Sequence, residues 1–225
     1  MVVTAVSARD KSKHRGIELA GIAWCDDAAA LARRDDVDVI AELIGGADGA
    51  AKSLVEAAIQ NGKHVVTANK ALLAHHGTAL ALGAEAKGVT LAFEAAVAGG
   101  IPIVKAMREG LAANNITRVY GILNGTCNYI LTQMEAEGSN FEDVLADAQQ
   151  MGYAEAEPSL DVDGFDTQHK TGILASLAHG FWVKPSQIFV EGIRHITPLD
   201  IQFARRLGYC IKLLGIVKKL GGKVQ

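Results

Sequence analysis

Val37–Ile44, VDVIAELI, is the stretch on which the fold turns. It is a short apolar run rich in β-branched residues, and Gly45-Gly46 closes it, so it reads as a buried strand. The elements around it alternate. Asp48–Asn61 reads as a helix, with Asp48 as its N-cap and Gly62 just past its end. Lys63–Ala68 (KHVVTA) is the next strand, Ala71–Lys87 a helix stopped by Gly88, Val89–Phe93 a further strand and Ile101–Gly110 a further helix. Upstream, Val2–Ser7 reads as a strand and Asp26–Arg33 as helical. Strands alternating with helices imply an α/β fold, a parallel sheet covered on both faces.

The pattern changes near Gly110, which divides the chain into residues 1–110 and 111–225. Ile116–Leu123 reads as a strand, and Asn124-Gly125-Thr126 turns the chain. Cys127–Glu137 and Phe141–Met151 are amphipathic helices. Gly164–Gly180 is a third, with Phe165, Ile173, Leu174, Leu177 and Phe181 at core-facing spacing. Gln187–Val190 reads as a strand and Pro198–Leu207 as a short helix. This half is α+β in character. No repeat or low-complexity segment interrupts the 225 residues, of which 49% are hydrophobic.

Composition excludes several classes. A net charge of −3 argues against bulk nucleic-acid binding. The three cysteines, Cys25, Cys127 and Cys210, are far apart with no CxxC, so they read as reduced thiols in a cytoplasmic protein. No export signal and no long uncharged apolar run is seen, so no membrane span is expected.

The chemistry concentrates in Gly152–Lys170, GYAEAEPSLDVDGFDTQHK. Five acids, Glu155, Glu157, Asp161, Asp163 and Asp166, close on Lys170. Asp166 and Lys170 share a helix face at i, i+4. Taken as an isolated pair this is an ordinary surface ion pair. Beside an acid-rich loop, the lysine is placed to exchange a proton with a carbonyl oxygen. Glu155 follows Gly152-Tyr153 and reads either as a solvated acid or as the grip for a substrate ammonium, with Gly152 permitting close ligand approach. Asp161, Asp163 and Gly164 fit an EF-hand register, but Lys170 then stands where the bidentate glutamate is needed, which rejects calcium. Asp163 reads instead as the N-cap of the next helix.

In the first half, Lys70 follows a strand, at the carboxyl edge where parallel sheets bind ligands. Its start-of-helix position is mildly unfavourable for a cation. Glu94–Pro102 (EAAVAGGIP) reads from its residues as a tight strand-to-helix turn, although its carbonyls could hold a cation. Arg9, Lys11, Lys13 and Arg15 cluster after the first strand, where basic residues accommodate the 2′-phosphate of NADP; Asp10 blurs that preference. Cys127 opens a helix, which can activate a thiol, but no neighbouring histidine serves as its base, and a buried inert cysteine is the better reading.

These runs together resemble homoserine dehydrogenase. ELIGG (Glu42–Gly46), HVVTANKALLA (His64–Ala74), FEAAVAGGIPI (Phe93–Ile103), GILNGTCNYIL (Gly121–Leu131) and the acidic stretch occur in family order. The resemblance implies a Rossmann-like cofactor domain followed by an α+β substrate and dimerisation domain. It implies interconversion of L-homoserine and L-aspartate 4-semialdehyde by a homodimer or larger homo-oligomer. The cofactor expected is NADP, with NAD as the alternative. Lys170 becomes the proton donor, Glu155 and Asp166 the homoserine-binding acids and Asp161 an acid near the substrate. Lys70 and Gly152 become cofactor contacts, joined by Arg9 from the basic cluster. Glu94, Val97, Gly99 and Ile101 become a sodium site. No G-x-G-x-x-G occurs, so the sheet reads as an incomplete Rossmann-like one that starts at its second strand, and the C-terminus reads as truncated. Two rivals follow from the same residues: an acylating aldehyde dehydrogenase using Cys127, and an inactive fragment that only dimerises.

Overall fold

A computed structural model describes residues 1–221 and 223–225. The chain forms two compact units, Met1–Ala106 and Met107–Gln225.

The N-terminal unit is built on parallel pairing. Strand β1 (Ala5–Val6) pairs with β2 (Ala23–Trp24), and α1 (Ala28–Leu31) follows, capped by Asp27 through the amide of Ala29. Strand β3 (Val39–Glu42) leads through α2 (Ala50–Gln60) to β4 (His64–Thr67). From there α3 (Lys70–Lys87) leads to β5 (Leu91–Ala92). The sheet order is β3-β4-β5, all parallel, with Val39 opposite His64 and Val65 opposite Leu91. Ile40, Val65 and Leu91 of the strands are buried, as are Leu54, Val55 and Ile59 of α2 and Leu72, Leu80 and Ala84 of α3; α2 packs on β3 and β4, and α3 on β5. The α/β reading from alternation therefore holds, but the expected cover on both faces does not: β3 and β4 alternate buried and exposed residues, and Val66 is about half exposed, so α2 and α3 cover one face of this sheet. Gly88, at φ 65°, ends α3 in the left-handed conformation that glycine adopts without strain.

One local expectation fails here. The N-cap of α2 is Gly49, not Asp48; Asp48 instead bonds His76 Nε2 at 3.0 Å. The turn after β5 contains α4 (Ala95–Ala98) and α5 (Ile103–Lys105), and a π-helical turn, Ala106–Gly110, continues it.

The C-terminal unit is α+β. Strand β6 (Arg118–Gly121) precedes α6 (Gly125–Glu137), α7 (Phe141–Gln150), the short α8 (Ser159–Val162) and α9 (Phe165–His179). Then come a 3₁₀ turn at Pro185–Gln187, α10 (Pro198–Arg206), β7 (Gly215–Leu220) and β8 (Lys223–Val224). Strand β7 pairs antiparallel with both β6 and β8. The core gathers Cys127, Ile130, Leu131 and Met134 of α6, Phe141, Val144 and Ala148 of α7, and Val162, Ile193 and Ile201.

The expected strand at Gln187–Val190 is absent: Gln187 ends the 3₁₀ turn that Pro185 opens, and Ile188–Val190 is irregular. Phe165 and Phe181 are about half exposed rather than core-facing, whereas Ile173 and Leu174 are buried. Asp163 does not cap α9. Gly164 does, at φ 87°, and Asp163 pairs with Arg194 instead.

Candidate active site

Asn124 is the hub of the C-terminal site. It is buried at the start of α6, and its Oδ1 accepts from the amide of Cys127 at 2.8 Å, the usual N-cap bond. Its Nδ2 points the other way, donating to Asp161 Oδ1 at 2.7 Å and to Asp166 Oδ2 at 2.9 Å. One short side chain thus starts a helix and gathers two carboxylates.

Lys170 completes the cluster. Its Nζ donates to Asp166 Oδ2 at 2.8 Å and to the carbonyl of Leu123 at 2.8 Å. The Asp166 side chain is 2% exposed and that of Lys170 18%. This is not the exposed i, i+4 pair that contributes almost nothing. A carboxylate withdrawn from water is stable only when charge and hydrogen bonds compensate it, and Lys170 and Asn124 supply both. The ammonium can therefore be held in one place with its remaining proton available.

The hinge between α8 and α9 carries Asp161 and Asp166, and the segment 190–194 clamps it. Ile193 N donates to Val162 O at 2.7 Å. Arg194 grips Asp163 through Nε and Nη2 and reaches Ser159 Oγ at 2.9 Å. A Cβ on Gly192 would collide with the Val162 carbonyl and come within 2.5 Å of Asp163 Cα, so the contact needs glycine.

Glu155 stands apart from this network among the described residues. Its carboxylate is exposed on the turn after α7, while its carbonyl accepts from Gln149 Nε2 at 2.9 Å. The turn is tied to α6 because Thr126 Oγ1 donates to Tyr153 O at 3.0 Å. Gly152, at φ 76°, begins this turn in open space.

Cys127 is fully buried. Desolvation first, and then the charges of Asp161, Asp166 and Asp163, push its thiol up from the ordinary 9.0 to about 12. Such a group is a thiol at neutral pH, and its Sγ–H donates to the Asp161 carbonyl at 3.1 Å. It is placed as packing, not as a nucleophile.

In the N-terminal unit the sequence candidates lie at strand ends. Lys70 is the first residue of α3, directly after its N-cap Asn69. Arg9 is exposed beyond β1. Arg15 donates to the carbonyls of Lys13 and Asp10 and lies 5.7 Å from the centre of the Trp24 ring, with Lys11 Nζ at 5.9 Å. Glu94 uses both carboxylate oxygens on backbone amides, Val104 at 2.7 Å and Lys105 at 2.9 Å. Gly99, at φ 59° and ψ −118°, gives the turn a shape closed to other residues. Sequence reasoning did not single out Asn124 or Glu42. An Asn before a helix was a legible N-cap, but nothing in the sequence revealed its second role.

The comparisons with known proteins agree in both halves. Residues 102–225 match the family model described as homoserine dehydrogenase, and residues 1–94 the model of the homoserine dehydrogenase NAD binding domain. A homoserine dehydrogenase of Neisseria gonorrhoeae is 51% identical, covering 90% of this chain and 46% of its own length. The crystal structure of a homoserine dehydrogenase from Thiobacillus denitrificans superimposes with a TM-score of 0.93 at 44% identity, over 98% of this chain and 51% of that one. A more distant neighbour, a hyperthermophilic archaeal homoserine dehydrogenase in complex with NADPH, gives a TM-score of 0.67 at 28% identity over 75% of this chain and 51% of that one. The chain spans about half the length of these relatives. A family model covering more than half of the chain, together with a lysine seated on a buried acid in that same region, means that the chain belongs to the homoserine dehydrogenase family.

Proposed function

We propose that this protein interconverts L-homoserine and L-aspartate 4-semialdehyde with NADP or NAD, in the biosynthesis of threonine, methionine and isoleucine in the cytoplasm. The observation that carries this reading is Lys170, held between the Leu123 carbonyl and the buried carboxylate of Asp166. A bound nicotinamide supplies or accepts the hydride. Lys170 Nζ gives a proton to the substrate oxygen in reduction and takes one in oxidation. Asp166 and Asp161 hold that ammonium and its surroundings in place through Asn124 and, with Glu155, receive the amino acid. Glu155 is suited to the substrate ammonium because its carboxylate is exposed.

Cofactor contacts are assigned to Lys70, Gly152 and Arg9. The exposed arginine and the neighbouring cations braced on Trp24 favour NADP, since a 2′-phosphate needs positive charge. The residues Glu94, Val97, Gly99 and Ile101 suit sodium by donor chemistry, because a turn of carbonyl oxygens is a hard ligand set. The Glu94 carboxylate accepts one backbone amide on each oxygen, which fixes its place in the turn and leaves each oxygen a second lone pair. A homodimer or larger homo-oligomer is supported by the open face of the β6–β7 sheet, where Tyr120 and Ile216 sit opposite each other and exposed.

The test is NADPH oxidation with L-aspartate 4-semialdehyde, parent beside Lys170→Ala. Turnover in the parent and a loss of about a hundredfold or more in the variant are expected. Equal turnover in both would remove Lys170 from the chemistry, and no turnover in the parent would sink the activity for this chain.

A further inference from the structure

Glu42, at the end of β3, is 0% exposed and takes no part in the chemistry above. Its Oε1 accepts from the amides of Ile44 at 2.7 Å and Gly45 at 3.1 Å, and its Oε2 from Thr67 Oγ1 at 2.5 Å. Asn69 Nδ2 lies 3.5 Å from Oε1. Asn69 extends the constraint: its Nδ2 donates to Gly46 O at 2.8 Å, its amide to Thr67 Oγ1 at 2.9 Å, and its Oδ1 accepts from Leu72 N at 3.0 Å. One carboxylate therefore ties together the Gly45-Gly46 turn, the end of β4 and the first turn of α3, where Lys70 begins the helix.

A strand-to-strand brace does not require an ion. Burying a carboxylate is costly, and a neutral side chain could link two strands more cheaply. What distinguishes this position is that the converging groups are donors. Only a group that accepts at every site satisfies them all, and a glutamine amide would turn donors against one of them. The 18-residue α3 also favours negative charge at its N-terminus. All the tethered parts lie at the carboxyl edge of the parallel sheet, where such folds bind ligands. Gly45 and Gly46 stand at φ 86° and 82°, and nothing lies within 4 Å of where a Cβ of Gly45 would be.

We infer that Glu42 is a positioning residue for the dinucleotide. It holds the Gly45-Gly46 turn and the Lys70-bearing start of α3 in the shape that accepts the cofactor, without contacting it. The inference rests on the reading of the N-terminal unit as an NAD(P) site.

The experiment is a fluorescence titration with NADPH of the parent, Glu42→Gln, Glu42→Ala and Thr67→Val, each checked by circular dichroism and measured well below its melting temperature. Glu42→Ala should raise Kd about tenfold or more, with Glu42→Gln and Thr67→Val intermediate. If Glu42→Ala does not fold, the other two variants decide. A purely structural Glu42 would lower the melting temperature and leave Kd unchanged; folded variants binding NADPH as the parent does would overturn the inference and spare the cofactor site. A parent that binds no NADPH would overturn both.

Discussion

At Asn124 a single amide serves helix and site together, and its replacement separates the two. Asn124→Ala should destabilise the C-terminal unit by about 1–3 kcal/mol, because Asp161 and Asp166 lose a donor while remaining half or fully buried. Asn124→Asp keeps the cap but adds a third carboxylate. It should cost more activity than Asn124→Ser, measured as kcat at saturating substrate. Cys127 yields a prediction of opposite sense. With its thiol pushed up to about 12, alkylation at pH 7.5 should leave Cys127 unlabelled and the exposed Cys210 labelled, read by peptide mass spectrometry. The folded value lies above the ordinary 9.0, so the folded state binds the extra proton between the two. The contribution of Cys127 to stability should be constant below pH 9 and fall as pH climbs from there towards 12, a loss that Cys127→Ala removes in chemical denaturation. Activity that disappeared on labelling of Cys127 would instead revive the acyl-transfer reading.

Among elements, the α8–α9 hinge is the most constrained piece of the site. Gly192→Ala drives a methyl group into the backbone of Val162 and Asp163, neither of which is the free end of a flexible side chain. A cost of about 1–3 kcal/mol is expected by thermal or urea melting. Because the displaced hinge carries Asp161 and Asp166, kcat should fall in molecules that remain folded. Unchanged kcat would mean that the clamp serves stability alone. Helix identities were largely legible: the apolar spacing of α6 and α7 and the glycines that stop α3, α6 and α9 are local signals. The failed expectations at Asp48 and Asp163 share a cause. Each acid was near a helix start and able to cap it, but each found a partner from a distant segment, His76 in one case and Arg194 in the other.

For the molecule as a whole, the prediction concerns assembly. Tyr120 and Ile216 pair across β6 and β7 with 69% and 46% of their surfaces exposed, an apolar pairing that water does not favour. Ile216→Lys should shift the protein to a monomer by light scattering while leaving its circular dichroism unchanged. A parent that is already monomeric at micromolar concentration would reject the dimer. Among the described residues no helix is long and apolar enough to cross a membrane.

The alternation of strand and helix, the change of character near residue 110, and the pairing of Asp166 with Lys170 were all present in the order of residues. Each depends on spacings of a few positions, which the backbone geometry of a strand or helix converts directly into a shared face. The tertiary structure alone decided what those faces meet. Glu42 reaches Thr67 across 25 positions, Asn124 reaches Asp166 across 42, and Lys170 reaches the Leu123 carbonyl across 47. No local rule specifies such contacts. They form because packing the helices withdraws these polar groups from water, and each group withdrawn must find its partner inside the fold.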